Sequence, residues 1–300
     1  MKLSVLKFGR YPPAVVAKLS TPIIEVLRNL KIKGVRHSPI VSNEGKLVGM
    51  VSARDLINFL GGGPKHRIVT EKYGGDIYSA LNKEPVSSIM YQPPYVTLDH
   101  TLQDVVNLMM ERDIGALPVL DEDGKVSGII SEKHIMNLFT DVKTYVCVEE
   151  IMSSPVITLP PQAYLIEGQE LMLEKDIRRL VLVENSSVKG LVTLKDMVRF
   201  YSNDETLGKL KLGLAKEVHK TPLANIASSS VVTADAKMDV GDAIKRMRMH
   251  KIGCLPVMEG KKLVGIVTER DILLKLPKIK GVEVFVDMAE KLITAGRIFL

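Results

Sequence analysis

The chain has 300 residues, 46% of them hydrophobic, a formal net charge of +6 and two cysteines. That length and apolar content allow two globular halves with substantial cores, and charged residues break every apolar run before the roughly 18 residues that a membrane span requires. Cys147 and Cys254 lie far apart without a CxxC partner, a pattern that supports neither a disulfide framework nor a zinc site and reads as two small buried apolar side chains.

At the amino terminus Lys7, Arg10 and the pair Pro12-Pro13 interrupt any apolar signal core. The expectation is a mature, soluble, cytoplasmic protein. The positive charge suits a polyanionic partner, whether nucleic acid, an acidic protein or nucleotide phosphates. Because Lys and Arg are spread along the whole chain, ordinary solvated surface accounts for the excess equally well.

Apolar residues at helical spacing come first, Ile23, Val26, Leu27 and Leu30, and predict an amphipathic helix. The run His37-Ser-Pro-Ile-Val41 reads as a short buried strand, Asn43-Glu-Gly45 as a tight turn, and Gly49-Met-Val-Ser-Ala-Arg-Asp-Leu56 as a second strand passing into a helix. A long insert, residues 61–83, holds Gly61-Gly-Gly63 and Gly74-Gly75. With no GxxxxGK[ST] or GxGxxG after a strand, the triple glycine is expected to be a flexible hinge rather than a phosphate loop. The same order then returns: Leu102, Val105, Val106, Met109 and Met110 on a helix face, the strand Ala116–Leu120, the turn Asp121–Gly124 and the block Gly128–Ile135. Few residues separate Thr140 from Val146, where a third copy begins, with Leu165, Met172, Leu173 and Ile177 on its helix, Arg179–Val183 as strand and Gly190–Met197 as block. Its helix carries Gly168 and Gln169 where the second copy has Val105 and Val106. After a second insert, residues 202–216, the fourth copy has Val240, Ala243, Ile244 and Met247, then Cys254–Met258 and Gly265–Ile272. The carboxyl tail places Phe285, Met288, Ala289, Leu292 and Ile293 on one helical face, to pack on the body or on a partner.

Each block reads glycine, two apolar residues, a hydroxyl residue, two more positions and usually Asp. The hydroxyl residue is expected to cap the following helix, with the Asp in its first turn. The result is an α+β chain built as strand, helix, strand, strand, helix, four times.

With these blocks in place the sequence resembles the CBS-domain family, through repeats at residues 10–62, 84–141, 146–202 and 218–277, followed by a tail over 278–300. It is similar to the four-repeat gamma regulatory subunits of AMP-activated protein kinases, to which Ala224-Asn-Ile-Ala227 adds a further likeness. The resemblance implies four repeats forming two Bateman modules in a flat disc, with AMP, ADP or ATP in clefts between repeats, no other cofactor and no metal. Ribose would be held by Asp55, Asp196 and Asp271, because an ionised carboxylate offers two acceptor oxygens to the two donors of a diol. Ser52, Thr193 and Thr268 would stand beside ribose or phosphate. Each acid could equally serve to stabilise its helix start, or do both.

The second repeat has His134 in place of the acid. Imidazole cannot hold a diol in the same way, so that ribose position is expected to be vacant, with Lys133 and His134 reaching phosphates or His134 lying solvated at the surface. The resemblance gives phosphate roles to Arg36-His37 and Arg178-Arg179, against Gly115-Ala116 and Gly253-Cys254 in the other repeats, and to Arg54, Lys195 and Arg270. Plain surface charge remains open for each of them. Ala227, Pro256 and Ile266 would wall an adenine in the fourth repeat.

The function implied is an energy-sensing regulator of an unidentified protein, with no enzymatic activity, no membrane partner and a homodimer as a possible assembly. Once the repeats are assigned no barrel or cofactor domain remains for an inosinate-dehydrogenase-like enzyme, and no nucleophile and base stand together. Aromatic residues are only 5%, which disfavours a single-strand nucleic-acid platform. S-adenosylmethionine is an alternative ligand, although its sulfonium would sit poorly beside Arg178 and Arg179.

Overall fold

Four times along the chain a two-residue strand, a crossover helix and a hairpin assemble the same small sheet, in a computed structural model that describes residues 2–6, 8–139 and 142–294. The crossover helices are Ile23–Lys33, Leu102–Glu111, Leu165–Glu174 and Val240–Met249. Each leads from a strand that pairs parallel to the middle strand, which in turn pairs antiparallel with the last. The register repeats closely. Gly49 faces Ile40, Gly128 faces Val119, Gly190 faces Leu182 and Gly265 faces Val257, and every hairpin bulges immediately beyond that pair. One extra residue at the same place in each copy sharpens the twist of each hairpin in the same way.

The apolar stripes expected from sequence are buried, among them Ile23, Val26, Leu27 and Leu30, and Val240, Ala243 and Ile244. A left-handed residue follows each crossover helix: Gly34 directly after the first, and Asp113, Asp176 and Lys251 one residue beyond the C-cap of the other three. In the third repeat Gly168 is needed for close packing, since a Cβ there would come within 2.9 Å of Leu223.

The repeats form two compact units that each join alternate copies. One comprises residues 13–93 and 157–230, the first and third repeats; the other comprises 1–12, 94–156 and 231–300, the second and fourth. Each has its own core. In the first-and-third unit the helix Ala53–Leu60 packs on Leu194–Tyr201, and in the second-and-fourth unit Glu132–Met136 packs on Glu269–Lys280.

The insert over 61–83 is not a flexible hinge. It folds as a turn of 3-10 helix, Pro64–His66, and two helices, Arg67–Tyr73 and Ile77–Lys83, whose Val69, Ile77, Ala80 and Leu81 are buried. Its glycines serve a close turn: Gly62 has φ +85°, and a Cβ there would meet the backbone nitrogen of Glu170 at 2.9 Å. The second insert is also helical, at Asp204–Lys211 and Ala215–His219. The tail helix Glu283–Thr294 packs on its own unit, with Phe285, Met288 and Ala289 buried and Phe285 edge-on to Phe139 at 5.3 Å. The side chains of Leu292 and Ile293, and residues 7, 140–141 and 295–300, lie outside the described part. Cys254 is buried, Cys147 is half-buried, and neither is in a disulfide. Among the described residues no helix is long and apolar enough to cross a membrane.

Candidate functional site

At the end of each last strand the chain turns into a helix, in the first, third and fourth repeats through the hydroxyl-x-x-acid motif. The backbone N–H of Ser52 donates to Asp55 Oδ2 at 2.8 Å and its hydroxyl donates to the same oxygen at 2.6 Å. Thr193 and Asp196 repeat this at 3.0 and 2.6 Å, as do Thr268 and Asp271. The acid therefore does cap its helix, but with Oδ2. Its second oxygen, Oδ1, has other partners.

Those partners differ. Asp55 Oδ1 is paired with Lys65 from the insert. Asp271 Oδ1 accepts from the Ser153 hydroxyl at 2.6 Å and from Lys275 Nζ at 2.8 Å. Asp196 Oδ1 has Arg199 at 3.5 Å, on a side chain that is 62% exposed.

The register fixes which basic residues accompany these acids. His37 pairs across the hairpin with Ser52 and Arg179 with Thr193, whereas Ala116 and Cys254 face Ser131 and Thr268. One residue earlier, the carbonyls of Arg36, Gly115, Arg178 and Gly253 accept from the first N–H of the following helix, at 2.8, 3.0, 3.1 and 3.0 Å. Arg36, His37, Arg178 and Arg179 thus stand at helix starts where backbone N–H groups already favour an anion, and all four belong to the first-and-third unit. Lys195 is in that unit as well, with its ammonium close to Gly34.

Arg54 and Arg270 have structural work in common. Arg54 donates to the Ile177 carbonyl at 3.0 Å and pairs with Asp176 at 2.9 Å. Arg270 donates to the Asp113 carbonyl at 2.7 Å, pairs with the Asp113 carboxylate and lies 4.0 Å from buried Glu132. In both units the arginine beside the acid clasps the left-handed residue that follows a neighbouring crossover helix.

The segment entering each repeat runs along the last strand of another copy, a feature that local sequence does not signal. Arg10 bridges to Ile129, Tyr91 to Met50, Ser153 to Ile266 and Ser228 to Leu191. This explains the four repeated glycines. A Cβ on Gly49 would come within 2.6 Å of Met90, and one on Gly190 within 3.3 Å of Ala227; Gly128 under Tyr11 and Gly265 under Met152 are closer still. The same crossing sets the surroundings of the residues expected to wall an adenine. Ala227 packs over Gly190 in the first-and-third unit, while Pro256 and Ile266, paired across their hairpin, belong to the other with Asp271.

These crossings bring further residues to the acids. The Tyr91 phenol is pushed upward by burial and then by the Asp55 charge, with Arg178 acting the other way, so Tyr91, Asp55 and Arg178 share one electrostatic environment. In the second repeat His134 replaces the acid in the cap: the Ser131 N–H donates to His134 Nδ1 at 3.0 Å. Burial, helped by the charges of Lys133 and Arg10, lowers this imidazole from 6.5 to about 4. His134 is therefore a half-buried neutral ring, edge-on to Phe8 at 6.3 Å, and not a solvated surface residue. It brings an Nε2–H but no charge to an anion; the charge in that corner comes from exposed Lys133 and Arg10. Sequence patterns singled out neither Lys65 and Lys275 nor Tyr91 and Ser153. A signal existed only for Lys275, one helical turn after Asp271.

Comparison with known proteins agrees with the fourfold repeat. Residues 10–62, 86–141, 148–203 and 223–278 each match the family model of the CBS domain. An uncharacterized 33.4 kDa protein in a ribosomal RNA operon of Thermofilum pendens is 45% identical over 298 residues, covering 99% of both chains. The crystal structure of protein MJ1225 from Methanocaldococcus jannaschii, described as a candidate archaeal homolog of g-AMPK, superposes with a TM-score of 0.84 at 22% identity, covering 91% of this chain and 99% of that one.

Proposed function

Taking as premise that this chain belongs to the CBS-domain family, we propose that it is a regulatory protein that binds AMP, ADP or ATP and passes their relative abundance to a partner protein, without catalysing a reaction. The observation that carries this reading is the divided carboxylate. Oδ2 of Asp55, Asp196 and Asp271 closes the helix cap, and Oδ1 is directed to other partners, where a ribose diol can donate to it.

Arg36, His37, Arg178 and Arg179 then supply charge for phosphates in the first-and-third unit, where the Tyr91 phenol feels the Asp55 charge. Regulation requires that the partner bind one ligand state more tightly than another, because equal affinity shifts nothing. A second reading concerns the Asp271 corner alone. There Gly253-Cys254 replaces the basic pair, so adenosine with an uncharged or cationic tail, such as S-adenosylmethionine, meets less repulsion.

Calorimetric titration of the full chain with AMP, ADP, ATP and S-adenosylmethionine tests both readings. Binding of an adenine nucleotide tighter than about a millimolar is expected. Failure of every adenine compound to reach that affinity would overturn the proposal.

A further inference from the structure

Three repeats carry the ribose-type acid, yet two of the three acids are held by an ammonium that simultaneously ties down the incoming segment. Lys65 Nζ pairs with Asp55 Oδ1 and donates to the carbonyl of Ile89, two residues ahead of the Tyr91 crossing. Lys275 Nζ lies 2.8 Å from Asp271 Oδ1 and donates to the carbonyl of Met152 at 3.1 Å and to the Ser153 hydroxyl at 3.0 Å, at the corresponding crossing.

The two lysines reach this place by different routes. Lys275 lies on the same helix as its acid, four residues on, while Lys65 comes from the folded insert. The carboxylates they hold are nearly covered, with side-chain exposures of 13% for Asp55 and 9% for Asp271.

The third repeat has no counterpart among the described contacts. Counting from the cap, the position of Lys275 is taken by Phe200 and that of Lys65 by Thr206, which is buried. Among the described residues, Asp196 Oδ1, on a side chain that is 17% exposed, is approached by the exposed Arg199 at 3.5 Å, a geometry in which an ion pair is weak and readily rearranged.

We propose that Lys65 and Lys275 determine which acid binds ribose first: each competes with the diol for Oδ1, so Asp196 forms the tightest ribose site and the other two are held in reserve. The inference rests on the nucleotide-binding reading above. A charge-assisted bond from the ammonium must be lost or shared before the ribose hydroxyls can donate to the same oxygen. Because the ammonium also grips the Ile89 or Met152 carbonyl, filling a reserve site loosens the segment that crosses the neighbouring strand. Occupancy in these two repeats is thereby tied to the linkers.

Adenosine, which lacks phosphate and so does not report on the basic pairs, is the probe. The full chain is titrated calorimetrically as wild type, Asp196→Ala, Lys65→Met and Lys275→Met, with Lys65→Gln and Lys275→Gln as variants that shed the charge but keep a hydrogen-bond donor. In wild type one site is expected to be tighter than the rest, and Asp196→Ala should abolish it. Each lysine variant should strengthen binding at a second site by about tenfold or more. Adenosine binding that is unchanged or weakened in folded lysine variants, or a tightest site that survives Asp196→Ala, would overturn the ranking while leaving nucleotide binding intact. No adenosine binding in any form would overturn both proposals.

Discussion

The two compact units use one fold for different chemical surroundings. The unit of the first and third repeats carries both basic pairs, two ribose-type acids, and Tyr91, whose phenol feels the charges of Asp55 and Arg178. The unit of the second and fourth repeats has Gly115-Ala116 and Gly253-Cys254 at the same strand starts, one acid, and a neutral His134 in the remaining cap. Since register and bulge are the same in all four sheets, the contrast arises from side chains on a common frame. Basic side chains can be concentrated at the strand starts of one unit without altering the backbone of the other.

The frame itself should break most easily where the crossing segment lies closest. Gly128→Val would drive a side chain into Tyr11 in the second-and-fourth unit and is expected to cost about 3 kcal/mol. Gly190→Ala, with 3.3 Å to the Ala227 methyl, should cost under about 1 kcal/mol. Urea unfolding of the two variants measures the difference, and equal losses would show that the crossing is no tighter in one unit than in the other.

A smaller effect distinguishes the units by pH. His134 titrates near 4 when folded, below its unfolded value of 6.5, so between these values the unfolded chain binds more protons and stability rises with pH. The contribution is fully present above 6.5 and is lost as the pH falls towards 4, amounting to about 1–2 kcal/mol at pH 5. Replacing His134 with Asn, which keeps an acceptor for the Ser131 N–H, should remove that part of the slope in unfolding curves recorded from pH 7 to 5. An unchanged slope would assign it elsewhere.

The smallest effect tests whether Arg54 and Arg270 are clasps. Each is partly exposed, at 27% and 23% of its side chain, so Arg54→Ala and Arg270→Ala should each cost about 1 kcal/mol or less. Both should leave AMP affinity within about twofold. A tenfold loss of AMP affinity would restore the phosphate role that their place in the motif suggested.

Much of the fold was legible because its determinants are local. A helical stripe such as Ile23-Val26-Leu27-Leu30, a glycine block and a hydroxyl-x-x-Asp cap each fix a few successive residues, and the fourfold recurrence fixed their order. The alternation of Arg36-His37 and Arg178-Arg179 with small pairs was legible too. That it coincides with the division into units was not, because packing of alternate repeats is a long-range choice that no local pattern encodes. The same reason hid the crossings of Tyr91 and Ser153, and with them the packing of Ala227 over Gly190. Lys65 was concealed in an insert whose glycines suggested mobility, although Gly62 makes a fixed close turn against Glu170. His134 takes the place of the acid in the helix cap, and its burial involves Phe8 from a distant segment, which the local sequence does not signal.

The claim that one unit pairs ribose acids with phosphate cations is tested most directly by comparing AMP with adenosine on wild type and on Arg178→Ala by calorimetry. Loss of the guanidinium should weaken AMP by about ten- to a hundred-fold and leave adenosine nearly unchanged. An equal loss for both ligands, or none for AMP, would contradict the account.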